Sequence, residues 1–187
     1  MGDDGPVVFL RGERVYLRPL EMADLQRCQR WINDPAIRAT LMNHLPMNEI
    51  AEKGFIESAS KPDKEVHLAV VLNEGDQHIG TTGVFNIQWK HRCGEFGITI
   101  GEAEKQGCGY GLEATRLTVK YAFEELNLNR LELSVADFHE RGIKIFEAAG
   151  FRREGVRREC MSWGGRYVDL VLYSMLASEY QGSPGGK

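Results

Sequence analysis

The sequence predicts an α/β chain of the α+β kind, with one mixed β-sheet and helices on both of its faces. Three observations predict it. Short apolar or alternating runs recur along the chain and read as strands, while longer runs with three-to-four spacing read as helices. Their order is β-α-α-β-β-β-α-β-α-β-β, so helices cluster early and again after the central strands. The 187 residues contain no internal repeat and no dividing linker, which fits one domain with a full hydrophobic core.

Residues 1–12 are expected to be flexible, residues 13–177 to form the domain, and residues 178–187, rich in Gly, Ser and Pro, to form a flexible tail. Arg14 to Arg18 alternates polar and apolar residues and reads as the first strand, ended by Pro19 and Leu20. Glu21 to Ile32 is a helix with Leu25, Cys28 and Trp31 near one face. Asn33-Asp34-Pro35 stops it, because a residue before proline is pushed out of the helical region. Residues 36–45 stay open between a short helical turn and a loop. Met47 to Ser60 is a second helix, with Ile50, Phe55, Ile56 and Ala59 as its apolar face.

Val66 to Leu72 is a strongly apolar strand, Asn73 to Asp76 a hairpin turn, and Gln77 to Ile87 the partner strand. Gly80 and Gly83 permit a bulge or a close approach there. Trp89 to Arg92 turns into the strand Cys93 to Gly101. A glycine-rich loop follows, then a helix from Leu112 to about Leu126-Asn127. Arg130 to Ala136 is a strand, and His139 to Ala149 a helix stopped by Gly150. Phe151 to Met161 and Tyr167 to Leu176 are the last strands, joined by a turn at Trp163-Gly164-Gly165.

Composition narrows the function. With 42% hydrophobic and 27% charged residues the chain is an ordinary globular protein, and a net charge of −4 supplies no overall basic field to hold nucleic acid. Cys28, Cys93, Cys108 and Cys160 are scattered, with no Cys-x-x-Cys and no paired histidine spacing. That argues against a metal site and against a secreted disulfide framework, and fits free thiols in a cytoplasmic protein. The acidic, glycine-rich start lacks the regions of a signal peptide, and no apolar run approaches the ~20 residues of a membrane span.

The segment Gln106-Gly107-Cys108-Gly109-Tyr110-Gly111 carries the chemical signal. Glycine permits positive φ and close approach of the backbone to a ligand. The N–H groups that open a helix suit phosphate. A pyrophosphate loop and a plain glycine-rich strand-to-helix turn are equally supported by this window alone. A nucleoside-triphosphate loop is disfavoured, because the Gly-Lys-Ser/Thr ending is missing.

Gln106-x-x-Gly109-x-Gly111, set between a strand and a long helix, resembles the acetyl-CoA signature of the GNAT N-acetyltransferases, Gln/Arg-x-x-Gly-x-Gly/Ala. His139-Glu-Arg-Gly-Ile-Lys-Ile-Phe146-Glu-Ala-Ala-Gly150-Phe151 resembles the family's second block, commonly Asn-x-x-Ala-x-x-x-Tyr-x-x-x-Gly-Phe. Trp31-x-Asn33-Asp34-Pro35 and Gly165-Arg166-Tyr167-Val168-Asp169 are similar to the branch holding ribosomal-protein and spermidine acetyltransferases. The likeness runs from about Arg14 to Leu176.

The resemblance implies a GNAT-like fold in which two parallel strands splay apart, here Cys93–Gly101 and Arg130–Ala136, and admit pantetheine. It implies acetyl-CoA as cosubstrate, held by the backbone of Ile98, Thr99 and Ile100, by Gln106, Gly107, Cys108, Gly109, Tyr110 and Gly111, and near His139 and Phe146. The acceptor it implies is a primary amine, on a protein N-terminus or a small polyamine. Family members are often dimers, and the final strands would serve for pairing. A backbone N–H on the Ile98–Ile100 strand would polarise the thioester carbonyl.

An alkyl ammonium must lose a proton before it attacks, and a positioned base contributes ~10²–10⁴-fold. Glu95, on the strand leading to the loop, is the expected base. Glu102, Glu104 and Glu113 read as solvated or helix-start charges. Two departures from the family pattern stand out. Phe146 replaces a tyrosine whose phenol can protonate the leaving thiolate, and His139 replaces an asparagine. The first opens an alternative function, a coenzyme A-binding protein with weak or lost catalysis. His67, His78 and His91 read as polar groups of strands or turns, His44 as part of a loop near the acceptor, and Trp31 and Trp89 as packing. The arginine pairs 152–153 and 157–158 read as a solvated strand edge. Residues 33–60 and 90–94, which would select the acceptor, carry no legible code.

Overall fold

The computed structural model describes residues 6–41, 43–59 and 63–182. Its strands are β1 (Leu10–Arg11), β2 (Val15–Pro19), β3 (Val66–Leu72), β4 (His78–Gln88), β5 (Cys93–Ile100), β6 (Arg130–Ala136), β7 (Arg152–Trp163) and β8 (Arg166–Leu176). Its helices are α1 (Leu25–Asn33), α2 (Pro35–Arg38), α3 (Glu49–Ala59), α4 (Tyr110–Glu124) and α5 (Glu140–Ala149). The strands form one sheet in the order β1-β2-β3-β4-β5-β6-β8-β7. Neighbours run antiparallel except β5 and β6, which are parallel.

The alternation of β3 explains why both faces are covered. Leu68, Val70 and Leu72 point one way and pack with Val15, Leu17 and Ala114 of α4. His67 points the other way, edge-on to Phe55 of α3 with ring centroids 4.7 Å apart. The largest core lies on the α4 side, where Val119, Ala122 and Phe123 meet Val84, Phe96, Leu131 and Val171. Phe146 of α5 and Phe151, just ahead of β7, join it.

Several sequence expectations need correction. Part of the expected flexible start is ordered: Phe9 donates to Leu17 O at 2.8 Å, its ring lies 5.1 Å from that of Tyr121, and β1 pairs with β2. Residues 1–5 lie outside the described residues. The expected tail is likewise held as far as Tyr180, which stacks on Phe123 at 5.3 Å, and Arg152 pairs with Glu179 at 2.8 Å. Residues 183–187 lie outside the described residues. The first helix begins as a single 3-10 turn, Met22–Asp24, before α1. In the open stretch 36–45, α2 forms because Asp34 accepts from the N–H of Ala36 at 2.8 Å and Pro35 starts the turn.

On α3 only part of the expected apolar face turns inward: Ile56 and Ala59 do, Ile50 does not. Ile50 is 83% exposed and Phe55 is 39% exposed, while Ile56 and Glu52 are buried. The expected end of that helix, Ser60, lies outside the described residues. Among the described residues no helix is long and apolar enough to cross a membrane.

Candidate active site

The sheet opens at its one parallel pair. β5 meets β6 only at Cys93–Arg130, Gly94–Leu131 and Glu95–Glu132. From Phe96 onward β5 still pairs with β4 but has no partner on its β6 side. Backbone groups there lack a neighbouring strand, the position an extended ligand can fill. A cavity of about 400 Å³ passes through this gap. Phe96, Gly97, Ile98 and Thr99 wall it on β5, and Leu133, Ser134 and Val135 on β6. The cavity continues to α1 and α3 on the opposite side.

The glycine loop follows the free end of β5. Gly107 and Gly109 have φ of 76° and 87°, where a side chain is strained, and nothing stands within 4 Å of a Cβ built on Gly107. Gly109 is the N-cap of α4 and no side chain caps the helix start, so its first N–H groups have no side-chain acceptor. Gln106 turns its side chain inward, donating from Nε2 to Ile100 O at 2.8 Å, and so ties the loop to the strand end. Cys108 is exposed. Tyr110 and Gly111 begin α4, and a Cβ on Gly111 would come 3.3 Å from Ile145 of α5.

Arg14 braces this loop, and no motif marked it in the sequence. It donates to Cys108 O at 3.0 Å, pairs with Glu113 at 3.3 Å and lies 4.9 Å over the ring of Tyr110. Glu113, expected as a helix-start charge, also accepts the backbone N–H of Arg14 at 2.8 Å and of Val15 at 3.2 Å. It thereby anchors α4 to β2.

His139 is the N-cap residue of α5 and lines the cavity. Burial, with Arg141 nearby, lowers its pKa and favours the neutral imidazole. Its ring fills the space beside Gly142, where a Cβ would come within 2.5 Å of it. The larger residue at 139 is thus matched by glycine at 142. Phe146 also lines the cavity and packs edge-on to Phe96 and Phe151, with centroids 6.1 and 6.2 Å away. No tyrosine lines the cavity among the described residues.

The far half of the cavity is apolar and aromatic. Trp31, Leu41, Met47, Phe55 and Phe85 line it, and Phe85 fits between Gly83 and Gly97, whose Cβ atoms would stand 2.9 and 2.7 Å from its ring. Cys28, His67 and Glu52 are titratable groups lining the cavity here, and of these only Glu52 carries no expectation from the sequence. Burial and then the Glu52 charge push the Cys28 thiol up to about 12, so it stays protonated. His67 Nε2 lies 2.9 Å from Glu65. Burial raises the Glu52 carboxyl, with no compensating partner among the described residues. Glu52 was hidden because it sits among charged neighbours on a weakly amphipathic helix; only its three-to-four spacing from Ile56 marked it as inward.

Behind Trp31 lies a buried charge cluster. Burial alone would raise the Asp24 carboxyl, but hydrogen bonds from Arg18 and His78 hold it well below the usual range. Arg18 grips both carboxylate oxygens at 2.7 and 2.8 Å, and His78 Nδ1 lies 2.9 Å from Oδ1. His78, expected as a polar group of a strand or turn, begins β4, is buried and meets Trp31 edge-on at 4.9 Å.

Glu95 is exposed and lies outside this cavity. It lines a polar cleft of about 120 Å³ with Arg130, Glu132, Glu154 and Arg157. The two hollows share Leu133 and Ser134 as a common rim. Arg130 bonds Glu132 and Glu154 in this cleft, and with Ser174 it draws Glu154 down to about 2.

Comparison with known proteins agrees with this geometry. A family model described as "Acetyltransferase (GNAT) domain" matches residues 14–152. The uncharacterized N-acetyltransferase p20 of Bacillus licheniformis is 30% identical over 175 residues, covering 91% of this chain and 97% of that protein. The spermidine N(1)-acetyltransferase of Escherichia coli K12 is 30% identical over 171 residues, covering 89% and 88%. The crystal structure of spermidine N-acetyltransferase from Vibrio cholerae in complex with CoA and spermine superposes with a TM-score of 0.83 at 26% identity, covering 89% of this chain and 97% of that one. With its split sheet and its glycine loop at a helix start, the chain belongs to the GNAT family of N-acetyltransferases.

Proposed function

We propose that the acetyl group of acetyl-CoA passes to a primary amine inside the 400 Å³ cavity, with the pantetheine arm entering between β5 and β6. One observation carries this reading: a single cavity joins the unpaired edge of β5 to a second hollow under α1 and α3. Donor and acceptor therefore reach one another without crossing solvent.

The residues present fit coenzyme A. The backbone of Gly107 to Gly111 and the uncapped start of α4 suit its pyrophosphate. Arg14 adds a cation at the same loop. The unpaired edge at Ile98, Thr99 and Ile100 suits an extended amide-bearing arm, with an N–H of this stretch toward the thioester oxygen. Gln106 serves here by fixing the loop, His139 as a neutral polar wall, and Phe146 as packing near the thiol end. A thiol of ordinary pKa, ~8.5, leaves as thiolate without an obligatory acid, so the missing phenol is compatible with turnover.

In this reading Glu95 carries the amine's proton away to solvent through water at the shared rim. Polyamines and protein N-termini are the acceptor classes that the relatives bring forward. The test is to incubate purified protein with acetyl-CoA and a panel of polyamines, peptides with free N-termini and alkyl monoamines, following thiol release and product mass. Acetylated amine is expected. Coenzyme A binding without any product would favour the second reading, a binder that has lost catalysis, for which Phe146 speaks.

A further inference from the structure

We propose that the acceptor is a small primary amine with an apolar body and one positive charge, received by Glu52 as both counter-ion and first proton acceptor. The inference rests on the reading of the cavity as the transfer site. Glu52 is 4% exposed, lines the cavity, and is the only carboxylate among its described lining residues. No side chain among the described residues pairs with it; Lys53, next in sequence, pairs with Glu57. The nearby His67 is taken up by Glu65. Cys28 of α1 and Glu52 of α3 both line this half of the cavity.

A buried carboxylate without a partner is costly, and folds keep such groups for a ligand that supplies the opposite charge. The remaining wall of this half, Trp31, Leu41, Met47, Phe55 and Phe85, offers apolar and aromatic surface. Aromatic rings also favour an ammonium at their faces. A polyamine would bring further charges, and the cavity has no second carboxylate for them among its described lining residues. In the neighbouring cleft Glu132 and Glu154 are already bonded to Arg130 and Arg157 adds a further cation, so Glu95 is its one carboxylate outside those pairs among the described residues, and it lies outside the cavity.

The chemistry balances. The ammonium gives one proton to the Glu52 carboxylate. The free amine attacks the thioester carbonyl, a C–N bond forms and the C–S bond breaks. The second nitrogen proton passes to the leaving thiolate, and Glu52 later releases its proton to water.

The test uses the full chain loaded with coenzyme A. n-Hexylamine, 2-phenylethylamine, spermidine and a tetrapeptide with a free N-terminus are each titrated by calorimetry and assayed for turnover with acetyl-CoA. The two monoamines should bind at least about tenfold more tightly than the others. Glu52→Gln should lose at least about tenfold in their affinity and kcat/KM. The KM for acetyl-CoA should stay unchanged, and Glu52→Asp should recover part of the loss. Spermidine or the peptide binding as tightly as the monoamines, or Glu52→Gln binding them like wild type, overturns the inference. Efficient spermidine turnover would do so while leaving the acetyltransfer reading intact. Failure of every amine to be acetylated, with monoamine binding retained, would instead remove the transfer reading and keep the amine site.

Discussion

The indole of Trp31 occupies the space above Gly101: a Cβ on Gly101 would stand 2.1 Å from its ring. That contact seats α1 on the free end of β5 and makes one wall of the cavity. Gly101→Ala should therefore act by overpacking and cost about 1–3 kcal/mol of stability. Denaturant unfolding measures this, and an unchanged midpoint would mean the indole moves aside freely.

Gly109 has φ of 87° and heads α4 beside the Arg14 guanidinium. Gly109→Asp strains the backbone and places a carboxylate where phosphate oxygens are proposed to sit. Acetyl-CoA binding should fall below detection in calorimetry. Gly109→Ala, which carries the strain without the charge, should retain weakened binding. Retained affinity in the aspartate variant would show that the loop does not hold the pyrophosphate.

Phe146→Tyr returns a phenol to the cavity. The ring is wedged between Phe96 and Phe151, so a hydroxyl without a partner would cost about 1–3 kcal/mol. If the hydroxyl points at the thiol end, kcat should rise while KM for acetyl-CoA holds. A chain that only binds coenzyme A would stay inactive.

Stability should vary with pH through Glu52. Its folded pKa is raised by burial above the unfolded value of ~4.3. Between the two values the folded chain holds a proton that the unfolded chain has released, so stability falls as pH rises through that window. Glu52→Gln removes the penalty. Its Tm should exceed wild type at about pH 8, and the gap should close as pH drops below ~4.3. Asp24 works with the opposite sign: its depressed carboxyl stabilises the fold above its unfolded value of ~3.9 and loses that contribution only in stronger acid.

The strands were the most legible part of the chain, and for a physical reason. β3 is a strongly apolar run and β6 alternates polar and apolar residues, and the expected limits of both match the structure. The loop at Gln106–Gly111 was legible because positive φ at Gly107 and Gly109 demands glycine. What stayed hidden depends on approach across the fold. The short β1 has two residues and no pattern of its own; it exists because β2 offers it a partner. Arg14 and Glu113 lie far apart in the chain, and nothing local marks either as a brace for the loop. Glu52 was missed because a charged residue on a helix reads as solvent-facing unless the helix packing is known. Glu95 is legible from its strand position and from the family resemblance, but neither shows which hollow it faces; it lines the polar cleft rather than the cavity.

Among the described residues, the three residue pairs that join β5 to β6 are the only strand-to-strand connection between the two halves of the sheet. The seam is short, three residue pairs against seven between β4 and β5 and seven between β6 and β8. A cosubstrate arm laid along that seam, as proposed, would act as a removable strand and complete the ladder. Occupancy should then be felt as mechanical stiffness: saturating coenzyme A at a hundredfold its Kd adds ~2.7 kcal/mol. Amide exchange should slow first in the residues flanking the gap. The cell's supply of activated acetyl groups would thereby set how firmly the two halves are held together.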